Sequence, residues 1–326
     1  MLENNKTLNW ITEDYIPKLV SVIIPTYNRQ VYLVEAIQSV VEQSYRPIEC
    51  IIVDDGSTDN TKAEVDKIVA HQDANFIIKY IHQSNSGSQV ARNEGTKHSK
   101  GEFVQYLDSD DLLYPEKIEK QVSFLNDHGD CDGVFGDWEK GLPEKKEFIE
   151  ASESNDMISQ LLTVRSVHTL AFLYRRVIID KIGEWDINIK RNQEIDFQVT
   201  GLIKGAVYNY QPQNCGLWRI HDAQRIANTT GSQEILYFFK KWEKALKERG
   251  ALTERLKKNM ANVLFWEAVK ETEKPQKGRI DLLLEAIRLD TKISFYNTPK
   301  MRLMVGLIGK RLSLKLWLVW FKKHLK

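Results

Sequence analysis

Cysteine is scarce in this 326-residue chain: Cys50, Cys131 and Cys215 stand far apart, are odd in number and form no C-x-x-C. That excludes a disulfide framework and a zinc knuckle, and it fits a reducing, cytoplasmic compartment. Net charge is almost absent too, at +1 from 46 basic and 45 acidic residues, so no global field points to nucleic acid. There is no run of about 18 apolar residues, so no membrane-spanning helix is expected. The opening residues, MLENNKTLNWITEDY, hold neither a cationic n-region nor an apolar h-region, and no secretory leader is expected. A G-x-G-x-x-G turn is missing after the first apolar run, which argues against a dehydrogenase. Internal repeats and low-complexity tracts are lacking as well.

What is present is ordinary in bulk. Hydrophobic residues make up 42% and charged residues 28%, as in a soluble globular protein. The length allows one large domain, or one domain with a substantial appendage. Over the first 140 residues two periods alternate. LVSVIIP (19–25) and ECIIVDD (49–55) are nearly continuous apolar runs, as strands buried on both faces require. FIIKYIH (76–82) and EFVQYL (102–107) read as two further strands. Helical spacing of apolar residues lies between them, over 30–44, 59–69 and 88–99. Such strand–helix repeats predict a parallel α/β sheet covered on both faces. A helix is expected over 116–127 and a strand over 132–138. LPEKKEFIEASESN (142–155) reads as a polar surface loop. Strands at 168–175 and 206–211 flank a helix over about 193–204. From 232 onward the pattern becomes helical, over 232–249, 252–272 and 277–289. The expected division is therefore an α/β domain over 1–228 and an α-helical region over 229–326.

In a parallel α/β sheet, ligands bind beyond the C-terminal ends of the strands. Four polar clusters follow four predicted strands there: PTYNR (25–29), DDGSTDN (54–60), SGSQVARN (86–93) and DSDD (108–111). The last is the most demanding. An apolar strand runs straight into Asp108, Asp110 and Asp111, whose mutual repulsion is costly unless a cation or solvent relieves it. Asp108 and Asp110 alternate along an extended segment and can share one face.

With these clusters in this order, the chain resembles the family 2 glycosyltransferases, which have the GT-A fold. The matching stretches are VSVIIPTYNR (20–29), IIVDDGSTDNT (51–61), NSGSQVARNEG (85–95), GEFVQYLDSDDLLYPEKIEK (101–120), NQEIDF (192–197) and WRIHDAQR (218–225). The resemblance implies a nucleotide-sugar donor at the sheet edge. Pro25, Thr26 and Tyr27 would hold the nucleoside, with Tyr27 offering a face for stacking. Asp55 would accept from an imide N–H of uracil, supported by Asp54, although a carboxylate accepts from guanine equally well. Arg92 and Asn93 would support the donor site. Asp108-Ser109-Asp110 corresponds to the family's D-x-D element. Asp110 would be the main ligand of a Mn²⁺ or Mg²⁺, with Asp108 near ribose or metal, and His221 would bind metal or phosphate. Arg219 and Arg225 would face the diphosphate. Inverting transfer needs a carboxylate base. The family's usual Glu-Asp pair reads Gln193-Glu194 here, so Glu194 is the expected base, with Asp196 as the alternative. The departure at Gln193 also leaves open a catalytically silent nucleotide-sugar-binding or scaffold subunit.

Residues 300–326 hold eight Lys or Arg and no acid, amid Leu, Trp and Phe. Such a segment suits a membrane interface, a helix packed on its own domain, or a dimer contact. The first setting would place the enzyme peripherally on the inner face of the plasma membrane. The acceptor would be a glycan or lipid-linked saccharide of surface polysaccharide synthesis, and no nucleic acid is expected as a partner.

Overall fold

The computed structural model describes residues 15–69, 75–163, 166–220, 231–269, 278–293, 305, 307 and 309–324, the side chains of 318–324 excepted. Nine strands form one mixed sheet. Strand β1 (Ile16–Thr26) is buried from Leu19 to its end, and β2 (Ile48–Asp54) is buried throughout. Helices α1 (Gln30–Val41) and α2 (Thr61–Val69) flank β2 in sequence. Strand β3 (Phe76–His82) sits at the sheet edge and is only partly buried. The edge strand carries Lys79, whose Nζ pairs with Glu49 at 2.6 Å, a charge that suits an unpaired edge. Helix α3 (Ser88–His98) packs on β1 and β2. It leads to β4 (Gly101–Tyr106).

β3, β2, β1 and β4 lie side by side and run parallel. Their register decides where function can sit. Thr26 lies opposite Asp54, and Asp54 opposite His82. Tyr106 lies opposite Ile23, with the Leu107 amide on the Ile23 carbonyl at 3.0 Å. The residues after β4 therefore emerge beside Pro25 and Thr26. All four polar clusters share one edge.

Beyond β4 the sheet changes direction. β5 (Leu112–Leu113), α4 (Lys117–Asp127) and β6 (Gly133–Leu142) come next in sequence. β7 (Lys145–Ile149) pairs antiparallel with β6. This hairpin corrects the expected loop over 142–155. The strand is exposed along nearly its whole length, so it carries no apolar alternation. Lys146 on Glu139, at 3.1 Å, ties it instead. Helix α5 (Met157–Thr163) follows, then a 3₁₀ turn (Thr169–Ala171) and β8 (Phe172–Arg175), which pairs antiparallel with β4 and β6. The strand expected from 168 thus starts at Phe172. Helices α6 (Arg176–Ile182) and α7 (Gln193–Ile203) precede β9 (Tyr208–Arg219). β9 is longer than the expected strand because its second half pairs with both β6 and β5.

The chain forms two compact units. The sheet unit comprises residues up to Asn155, Ser166–Ile187 and Gln193–Ala223. The other takes Gln224–Lys326 together with Asp156–Arg165 and Asn188–Asn192. It is helical: α5, α8 (Ser232–Glu248), α9 (Glu254–Val269), α10 (Arg279–Leu289) and α11 (Lys310–His324). Helix α8 buries Ile235, Phe238, Phe239, Trp242 and Leu246 along one stripe, the pattern of an amphipathic helix on a core. Among the described residues no helix is long and apolar enough to cross a membrane.

One close approach links fold to site. Gly216 on β9 faces Leu112 and Leu113, immediately after the acidic cluster. A Cβ at Gly216 would run into the Leu112 carbonyl oxygen. Gly216→Ala should cost about 1–3 kcal/mol, because overpacking against backbone forces the strands apart. Urea unfolding measures this, and an unchanged midpoint would show that β5 and β9 part freely.

Candidate active site

The loops at the sheet edge are laced together by two neighbouring carboxylates. Asp54 Oδ1 accepts from the Ser57 amide at 2.8 Å, and the Tyr80 hydroxyl donates to Oδ2. Burial, followed by this bond, pushes the Tyr80 hydroxyl well above its usual range. Asp55 is buried. Its Oδ1 accepts from Gln83 Nε2 at 2.7 Å and the Ser86 amide at 2.8 Å, and its Oδ2 from the Gly87 amide at 2.8 Å. Its own amide donates to the Thr26 carbonyl at 2.8 Å. Asp55 thus ties the ends of β1, β2 and β3 to the start of α3. A carboxylate has about four acceptor positions, so these donors leave room for one more. Pro25 and Thr26 are buried at the end of β1, whereas Tyr27 is 46% exposed. The buried Thr26 hydroxyl oxygen has no hydrogen-bond partner.

A second network crosses from α3 to α7. Arg92 is buried. Its Nη2 pairs with Asp108 Oδ1 at 2.6 Å and its Nη1 donates to Gln193 Oε1 at 2.9 Å. The guanidinium lies 4.6 Å from the centre of the Trp185 ring. Ser88 Oγ also donates to Gln193 Oε1, at 3.0 Å. Asn93 holds the platform: its Nδ2 donates to the Trp185 carbonyl at 3.0 Å and its Oδ1 accepts from the Trp185 amide at 2.7 Å. Its amide is therefore used in positioning Trp185. The next residue on α7 is Glu194, which is half-buried, while Asp196 is only 3% exposed.

The acidic cluster is not symmetrical. Burial alone would raise the Asp108 carboxyl, but the Arg92 charge, His168 and the Arg92 hydrogen bond together hold it below the usual range. Asp111 is fully buried, and burial, then the charges of Asp110 and Asp108, push its carboxyl well above that range. Its Oδ1 accepts from the Arg219 amide at 3.0 Å. Its Oδ2 has no hydrogen-bond partner and lies 3.7 Å from His168 Nδ1. Asp108, Asp111 and His168 offer ligand atoms within 4.8 Å of one another. Asp110, the expected main ligand, is not one of the three. Its carbonyl accepts from Arg219 Nε. The Arg219 guanidinium also binds Glu35 and, at 3.1 Å, the Tyr32 carbonyl, with the Tyr32 ring 5.0 Å away. Arg219 therefore clamps the acidic loop onto α1. Ser109 is buried within that loop. His221 and Arg225 lie outside the described residues.

Asp111 was read from sequence as part of the acidic cluster but given no role of its own, and His168 was read only as part of a strand. His168 sits in a run read as strand, yet it ends an extended stretch before the 3₁₀ turn and stacks on Trp218 at 4.9 Å. Three buried side chains hold that turn. Gln105 Nε2 reaches the carbonyls of Thr169 and Leu170, both at 3.4 Å. Gln121 Nε2 donates to the Ala171 carbonyl and Lys117 Nζ to the Phe172 carbonyl, each at 2.9 Å. Burial pulls the Lys117 amine down to about 7.

Two carboxylate oxygens and an imidazole nitrogen suit a divalent cation that favours oxygen and nitrogen donors. Asp111 Oδ2, which accepts no hydrogen bond, fits such an ion. The sign of the pH dependence follows. A carboxyl raised in the folded state contributes stability below its ordinary value, near 3.9, and loses it as pH rises through the folded value. At neutral pH the cluster therefore costs stability, and a bound cation would relieve that cost. Mn²⁺ at a hundredfold excess over its Kd should stabilise the protein by about 2–3 kcal/mol. The gain should shrink towards about pH 5 as protons compete. Thermal melts at the two pH values test this; a gain that is larger in acid would contradict it.

Residues 21–183 match the family model described as glycosyl transferase family 2. An uncharacterized glycosyltransferase of Rickettsia typhi is 33% identical over 214 residues, 63% of this chain and 65% of that protein. Another, of Rickettsia prowazekii, is 30% identical over 224 residues, covering 63% and 69%. A putative teichuronic acid biosynthesis glycosyltransferase of Bacillus subtilis, TuaG, is 39% identical over 143 residues, covering 42% and 54%. The chain spans less than two thirds of the length of several of these relatives, and 17% of one from Rickettsia conorii. Among solved structures, S. aureus TarS 1-349 in complex with UDP-GlcNAc superposes with a TM-score of 0.53 at 18% identity, over 89% of this chain and 75% of that one. Mannosyltransferase PcManGT from Pyrobaculum calidifontis, in complex with GDP-Man and Mn²⁺, gives 0.53 at 17%, over 96% and 92%. At these identities the likeness is one of fold.

Proposed function

The chain belongs to glycosyl transferase family 2, and from that premise we propose an inverting transfer of a sugar from a UDP-linked donor to an acceptor hydroxyl. The observation that carries the reading is the Asp108–Asp111–His168 group, buried at Asp111 and part-exposed at the other two, beside the ends of β1 and β4. The donor nucleoside would lie along Pro25–Tyr27, with its base on the Tyr27 ring and its imide N–H on the remaining acceptor position of Asp55. The diphosphate would lie over the acidic cluster. A divalent ion bound by Asp108, Asp111 and His168 would supply positive charge for the nucleoside diphosphate as it leaves. Asp110 and His221 are candidates for completing that ligand set.

Glu194 would take the proton from the acceptor hydroxyl. The acceptor oxygen then bonds to the anomeric carbon as the bond from that carbon to the phosphate oxygen breaks, with the electron pair leaving on the nucleoside diphosphate. Attack from the face opposite the leaving group inverts the anomeric centre. Gln193 does not disable this arrangement. As a neutral acceptor, it takes hydrogen bonds from Arg92 and Ser88 and leaves the guanidinium charge to Asp108.

The acceptor would be a glycan or lipid-linked saccharide of a surface polysaccharide, in keeping with the similarity to TuaG, a putative teichuronic acid biosynthesis glycosyltransferase. The test needs no acceptor: nucleoside diphosphate release from UDP-, dTDP- and GDP-linked hexoses is measured with Mn²⁺, using water as acceptor. Release from a UDP-sugar, abolished in Asp108→Ala, supports the reading. Release only from a GDP-sugar overturns the choice of nucleotide. No release from any donor by a folded protein that binds nucleotide would favour the silent subunit.

A further inference from the structure

The helical unit carries a surface that the transfer reaction does not use. On α11, Arg311 and Lys315 are exposed one turn apart. Beside them Leu312 and Leu316 form a second exposed row, each 48% accessible, while Ser313 and Leu314 are buried. On α9, exposed Arg255, Lys258, Asn262 and Trp266 fall at i, i+3, i+7 and i+11, one face of a helix. Trp266 is 61% exposed, the largest side chain so displayed on this helix. The two helices meet beside these rows, where the Phe265 and Trp317 rings lie 5.9 Å apart and Phe265 in turn touches Trp266 at 5.3 Å. Basic and apolar side chains thus run together on both helices: 300–326 hold no acid, Arg311 pairs with Asp281 at 2.6 Å, and exposed Glu254 on α9 pairs with Lys257 at 2.6 Å, which leaves Arg255, Lys258 and Lys315 as the basic side chains of the face.

We propose that this α9–α11 face docks on an anionic lipid surface, with Trp266, Leu312 and Leu316 in the acyl boundary and Arg255, Lys258 and Lys315 on the phosphates. Charge decides between the occupants. A second copy meeting the same face about a twofold axis would set basic rows against basic rows. An anionic membrane is complementary to the basic rows and takes up the leucines and the indole as well. The face needs neither donor nor acceptor, so it stands independently of the transfer chemistry.

The test is sedimentation of the full chain with vesicles of equal parts phosphatidylglycerol and phosphatidylcholine, against pure phosphatidylcholine. Binding should require the anionic lipid and weaken with salt. The Lys258→Glu/Lys315→Glu pair should lower partition by more than about fivefold per side chain, since each basic group near such a surface contributes about that factor. These positions are exposed, so the pair leaves the helical core untouched. The triple Trp266→Ser/Leu312→Ser/Leu316→Ser should also lower partition, by at least about tenfold, without changing nucleotide binding. Equal sedimentation with both lipids, or none, overturns the proposal. So does a dimer by light scattering that the triple dissociates while vesicle binding persists.

Discussion

Glu194→Gln should lower sugar transfer by about 10²–10⁴-fold, the usual contribution of a general base, while leaving donor binding unchanged. The side chain stands in the first turn of α7, directly after the Gln193 that Arg92 and Ser88 hold. It is half-buried, so an acceptor hydroxyl can reach it. Asp196 lies two positions on, about 200° around the helix, and is buried. Of the two carboxylates Glu194 is the more accessible. The amide keeps the shape and removes the proton acceptor, so the loss should fall on kcat rather than on donor affinity. Stopped-assay kinetics with matched calorimetry make the comparison. Full transfer in the variant would show that another group takes the proton.

Arg92→Met should destabilise the sheet unit by about 1–3 kcal/mol, because removing the buried guanidinium takes its charged partner from Asp108, which is only part-exposed. Asp108 would lose its 2.6 Å partner and Gln193 a donor. For a unit of this size the melting temperature should fall by about 2–12 °C. The pH dependence separates charge from packing. The Asp108 carboxyl is held low in the folded protein. Its contribution is present above the ordinary value near 3.9 and is lost as pH falls through the folded value. The penalty of Arg92→Met should therefore be largest near neutral pH and should shrink below about pH 4. A penalty constant with pH would mean that the guanidinium acts through packing on Trp185 alone. Adding Asp108→Asn should recover part of the loss, since the stranded charge is then gone.

The parallel half of the sheet was legible because burial on both faces writes itself into sequence. β1 and β2 are continuous apolar runs, and the residue after each is polar for reasons of the sheet edge. β7 was not legible because it is exposed, and an exposed strand keeps no period. Much of the site could be read as clusters, but not how they join. Arg92 and Gln193 are 101 positions apart and meet only through the fold. His168 was hidden within an apolar run. What turns it towards Asp111 is a 3₁₀ turn whose carbonyls are held by Gln105, Lys117 and Gln121, three polar residues with no accessible surface. Buried Lys117 and Gln121 lie on α4, whose inward face also carries Ile118, Val122 and Leu125, so helical periodicity marked the face but not its use. Arg219 reads as a phosphate ligand by residue type, and its contacts with Glu35, Tyr32 and Asp110 appear only in the fold.

The proposed function requires the edge cluster to bind a nucleoside diphosphate together with a divalent cation. Calorimetric titration of UDP, with and without Mn²⁺, into the protein and into Asp111→Asn tests it most directly. UDP binding should need the cation and should weaken at least about tenfold in the variant. Equal UDP binding with and without Mn²⁺ in both proteins would contradict it.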